Sequence, residues 1–136
     1  MGNSPISSTT SPSQTEFFAG TITRDSAAVD GSVAETGVGF TPKSIRFEWV
    51  DATFTLFGTG WTDSAKNYSF RKNNRNGTIG NHSIGTISCI SFTEAGATFD
   101  IANATIASFD ADGFTLAWVK TGTPIGIMTI NYIAQR

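Results

Sequence analysis

Three kinds of side chain in this sequence could do chemistry, and their spacing argues against each. His82 is the single histidine and Cys89 the single cysteine, so a Ser/His/Asp relay or a histidine-activated thiol would have to use His82. That residue lies between Asn81 and Ser83 in a glycine-rich stretch, and Cys89 lies in the apolar run ISCISF. The first reads as a polar loop residue and the second as a small buried thiol. A pair of the eleven carboxylates could cleave a glycoside. Asp25, Asp30, Asp51, Asp63, Glu94, Asp110 and Asp112, however, fall at predicted turns or strand ends, where such side chains accept backbone N–H bonds.

Asp110-Ala111-Asp112-Gly113 opens like a calcium loop, but a strand follows at once and no downstream glutamate completes the ligand set. A β-turn is predicted instead. Gly77-Thr78-Ile79-Gly80 lacks the lysine and the helix that a phosphate cradle needs. One cysteine and one histidine exclude a disulfide within the chain and a zinc site. We therefore expect no catalytic residues, no cofactor and no metal, and a protein that is not an enzyme.

The best ligand patch is aromatic. The segment NYSFRKNNR, residues 67–75, interleaves rings with cations, and Trp61 lies close before it. Trp61, Tyr68, Arg71, Lys72 and Arg75 are the candidate residues, since ring faces beside cations can stack a sugar. A solvated hairpin tip with inward rings would give the same pattern.

What must position these residues follows from composition. The 136 residues make one domain with its own core. Net charge is −2, which supplies no positive field for a phosphate backbone, so nucleic-acid binding is not expected. Charged residues are 15% of the chain and glycines number 14; helices usually need more charge on their wet faces, which points to an all-β fold. No apolar run approaches the length of a membrane span, and no cation precedes Arg24 as a secretory signal would require.

From Glu16 onward, β-branched and aromatic runs alternate with turn residues, as in a sandwich or barrel. The predicted strands are Phe17 to Thr23, Ser44 to Val50, Thr53 to Thr59, Asn67 to Arg71, Ile84 to Phe92, Thr98 to Phe109, Phe114 to Lys120 and Ile125 to Ile133, with Asp25 to Glu35 a loop. Asn76-Gly77 marks a turn, and turns either side of Phe114 to Lys120 predict a C-terminal meander. In its strands Phe114, Leu116 and Trp118 oppose Thr115, Ala117 and Val119, and Ile125, Ile127 and Ile133 oppose Met128, Ile130 and Tyr132. A strand apolar on both faces suits a subunit contact or a deeply buried central position. Phe114, Trp118, Ile127, Ile130 and Tyr132 are the interface candidates here. Residues 1–15 are rich in Ser, Thr and Pro with one large aliphatic, Ile6, and read as an extended arm lying on a neighbour, with packing on its own domain as the alternative. Residues 16–136 form the single domain.

The run IASFDADGFTLAWVKTGTPIGIMTINYIA, residues 106–134, resembles the ending of a family of small tailed-phage and prophage virion proteins. Gly39-Phe40-Thr41-Pro42-Lys43-Ser44-Ile45 matches an element near the start of the same proteins. The layout is also similar to the H-type lectin-like β-sandwich of trimeric sugar-binding proteins and phage baseplate parts. The resemblance implies an antiparallel β-sandwich, jelly-roll or H-type lectin-like, that self-associates on the outer surface of a virion after synthesis in the bacterial cytoplasm. A decorating or cementing capsid subunit is the first expectation. The second is a tail, fibre or baseplate module that recognises host glycan. Implied partners are copies of itself, a trimer among the options, and the major capsid or tail proteins, without nucleic acid or membrane insertion.

Overall fold

The computed structural model describes residues 16–52, 56–73, 83–85, 87–93 and 100–136. The proposed arm with Ile6, the Asn76-Gly77 turn, and Arg75, His82 and Glu94 lie outside the described residues. Ten strands and no helix are described: β1 (Phe17–Asp25), β2 (Gly31–Thr36), β3 (Ser44–Asp51), β4 (Leu56–Thr62), β5 (Asn67–Asn73), β6 (Ser83–Gly85), β7 (Ile90–Thr93), β8 (Ile101–Asp110), β9 (Gly113–Thr121) and β10 (Ile127–Gln135). They form two antiparallel sheets, β1-β10-β3-β4-β5-β6 and β2-β9-β8-β7, packed as a β-sandwich.

The interior follows from strict alternation. β10 buries Met128, Ile130, Tyr132 and Ala134 and exposes the residues between them, as a period of two requires. Across the sheets, Phe114 packs edge-on against Phe47 at 6.0 Å and Tyr132 at 5.0 Å between ring centroids, and Trp49 meets Phe92 at 6.1 Å. Such tilted aromatic pairs add to their own burial. On the open side the Arg24 guanidinium lies 4.7 Å over the Trp118 ring, which shields the ring from water.

Several expectations are corrected. Residues 31–36, read as loop, form the edge strand β2, paired from Gly31↔Trp118 to Thr36↔Gly113. One predicted strand, Ile84 to Phe92, is two, because the chain leaves the six-stranded sheet after β6 and enters the other sheet at β7. The meander is absent too. β9 and β10 belong to different sheets, and β10 instead runs between β1 and β3. Phe114, Trp118, Ile130 and Tyr132 are buried in this shared core, so they cannot face a neighbouring subunit. Of the interface candidates on these strands Ile127 alone points outward, at 53% exposure. Both faces of β9 and β10 are apolar because one face closes the sandwich and the other forms its surface.

Candidate functional surfaces

The aspartates that might have done acid–base chemistry hold turns. Asp25 accepts from the Ala27 N–H, Asp30 from Lys120, Asp51 from Leu56, Asp63 from Ala65 and Lys66, and Asp100 from Thr123, all through backbone N–H groups. The two in the calcium-like turn are divided. Asp112 accepts the Gly37 and Gly39 N–H groups, while Asp110 accepts the Ser108 and Thr115 hydroxyls, which lower its pKa. No group of three His, Cys, Asp or Glu among the described residues is placed to hold a metal ion. Cys89 is buried; desolvation pushes its thiol up to about 12, and Sγ donates weakly to the Ala104 carbonyl at 3.4 Å.

Two outer faces remain. The first is that of the six-stranded sheet, where strand register assembles a patch from residues distant in sequence. Ile133, Arg46, Trp61 and Tyr68 stand in one row across β10, β3, β4 and β5. Asn131, Glu48, Thr59 and Phe70 form the next, and Thr129, Val50, Phe57 and Lys72 the third. Cross-strand neighbours sit about 5 Å apart, so these side chains work as one surface. The Trp61 and Tyr68 rings lie 5.9 Å apart with a 31° tilt, and the Lys72 ammonium stands 6.0 Å over the Phe57 ring.

Two shallow hollows open on this face, of about 400 and 350 Å³. Glu48, Phe57 and Asn131 line the first, Arg46, Trp61 and Tyr68 the second, and Thr59 and Phe70 line both. On the outer side of β4 only Thr59 stands between Phe57 and Trp61, which leaves room for the hollows. Gly60 faces the other way: a Cβ there would overlap the Cys89 carbonyl oxygen, so the glycine lets the entry to β7 close onto β4.

Of the predicted patch, the structure brings together Trp61, Tyr68 and Lys72. Arg71 is separated from them. It alternates to the inner side of β5, where its guanidinium donates to Ser91 Oγ and burial lowers its pKa. Arg46, Glu48, Phe57, Thr59, Phe70 and Asn131 were missed; the signal that could have found Arg46 and Glu48 is the polar alternation of SIRFEWVD within β3.

The second face is the outside of the four-stranded sheet. Its outward residues on β2, β9 and β8 are Ser32, Ala34 and Thr36, then Thr115, Ala117 and Val119, then Ile101, Asn103 and Thr105. None of these nine is charged. Charge borders these nine at two places: Asp110, the last residue of β8, whose carboxylate accepts the Thr115 hydroxyl, and the β7 edge, where Arg71 donates to Ser91.

No family model, curated protein or solved structure matches the chain.

Proposed function

We propose that this chain is a structural subunit of a bacteriophage virion, a small β-sandwich that self-associates and decorates or cements the capsid. The ending of the sequence supports the virion setting through its resemblance to small tailed-phage virion proteins. The single observation behind self-association is the run of nine uncharged outward residues on β2, β9 and β8, bordered by charge only at Asp110 and at the β7 edge. The centres of protein interfaces are depleted in charge, and a neutral face meets its own copy without like-charge repulsion even though the chain carries net charge −2.

Val119, 57% exposed, is the largest exposed apolar group on that face. Burial of such a side chain contributes about 1.5 kcal/mol or more, and symmetry repeats the contribution in every subunit. Contacts of the arm, residues 1–15, with neighbours or with the capsid would add to this.

Sedimentation of the purified chain tests the reading. A concentration-dependent oligomer is expected, which Ala117→Lys and Val119→Asp convert to monomer while the far-ultraviolet spectrum stays that of a β protein. A monomer at all concentrations overturns it. Removal of residues 1–14 should leave the sandwich folded and weaken attachment to particles.

A further inference from the structure

The charged residues of the aromatic face point to a ligand. Arg46 and Glu48 are two apart on β3, so they project from the same side of the strand. Both are exposed, and among the described residues neither has a hydrogen-bond or ion-pair partner. They are not spectators at the margin. Register sets Arg46 directly beside Trp61 and Glu48 directly beside Thr59, so each stands in one of the hollows with aromatic rings behind it.

Opposite charges that close together cancel at a distance. The hollows therefore offer no net attraction to an anion or a cation, but they supply a fork of donors and a pair of acceptors within one ring's width. A docking protein surface without matching charges would bury both unpaired, at a penalty. A polyhydroxylated ring fits both features: its hydroxyls donate to Glu48 and accept from Arg46, while its apolar C–H face lies on Trp61 or Tyr68. Asn131, opposite Glu48 in the next strand, adds an amide; its Oδ1 accepts the Thr21 hydroxyl at 2.9 Å, which fixes the side chain and leaves its N–H groups for a ligand.

We propose that the outer face of the six-stranded sheet binds an uncharged oligosaccharide, with Trp61, Tyr68 and Phe57 as stacking platforms and Arg46, Glu48 and Asn131 as hydroxyl partners. Trp61 lies four positions beyond Phe57 on β4, about 13 Å along the strand, so the face accommodates more than one sugar ring. The site is independent of self-association, because it lies on the opposite sheet from the uncharged face.

The test is calorimetric titration of the full chain with neutral tetra- to hexasaccharides of glucose, mannose, galactose and N-acetylhexosamines, with polygalacturonate as the anionic comparison. Saturable heat with at least one neutral probe is expected, weakened about tenfold or more by Trp61→Ala and by Glu48→Gln. Arg46→Gln, at an exposed position, is the second polar variant should Trp61→Ala fail to fold. Val119→Asp should leave the affinity unchanged. Absence of saturable heat with every neutral probe overturns the proposal, as does tighter binding of the anionic polymer or an affinity indifferent to Glu48→Gln and Arg46→Gln. Sedimentation of the same samples reports self-association separately, so either reading can fail alone.

Discussion

Gly39 and Asp112 are 73 residues apart in the chain, yet the Gly39 N–H donates to Asp112 Oδ1 across 2.7 Å. The Gly37 N–H donates to Oδ2 at 3.0 Å, and the Val38 N–H to the Asp112 carbonyl at 3.1 Å. Three successive backbone donors thus end on one residue, which is possible because Gly37 and Gly39 both take φ of 87°. The clamp joins the start of the Gly39 to Ile45 element to the turn between β8 and β9. Asp112→Ala should lower unfolding free energy by about 2 kcal/mol and Asp112→Asn by less, since an amide keeps one acceptor. Urea denaturation measures both.

Gly113 and Gly60 are required for space. Gly113 has φ of 154°, and a Cβ would overlap the Glu35 carbonyl of the paired strand β2. Gly113→Ala and Gly60→Ala should each destabilise by more than about 2 kcal/mol. Gly37→Ala meets no atom and strains φ alone, so about 1 kcal/mol is expected. Thermal melts of the three variants should rank in that order.

Cys89 should be silent in the native protein. With its pKa pushed up to about 12 by burial, almost no thiolate exists at pH 8, and a disulfide reagent should react only after denaturant is added. Rapid native labelling would contradict this placement.

Glu35 gives a pH dependence of defined sign. Desolvation at the edge strand raises its pKa, so the folded state binds its proton more tightly than the unfolded chain does. Stability from this group is present below the unfolded pKa and declines as pH rises through the folded one. Glu35→Gln should stabilise the protein at pH 7, by less than about 1 kcal/mol because the side chain is partly solvated. Denaturation at pH 7 and pH 4 should show the gain shrink in acid.

The all-β fold and most strands were legible because alternation and turn chemistry are local signals. β2 escaped because Gly-Ser-Val-Ala-Glu-Thr at a sheet edge needs no strong apolar pattern. The partition into two sheets escaped for a different reason. A turn such as 121–126 reads alike whether the chain doubles back beside its neighbour or crosses the sandwich, and the difference lies in pairings more than 100 residues apart, such as Phe17↔Gln135. The same limit applied to the ligand face. Trp61 and Tyr68 stood out by type, whereas Arg46 and Glu48 join them only through the register of β3 on β4.

That pairing of β1 with β10 also governs when the molecule can form. During synthesis β1 leaves the ribosome first, with Phe17, Ile22 and its free backbone edge, and its partner follows roughly a hundred residues later; at about 5–20 residues per second it waits several seconds. β10 then zips between β1 and β3 at once. The six-stranded sheet is therefore completed only after translation has passed Gln135, and a nascent chain stalled before Ile127 would expose β1 unpaired, and one free edge of β3, to its neighbours on the polysome.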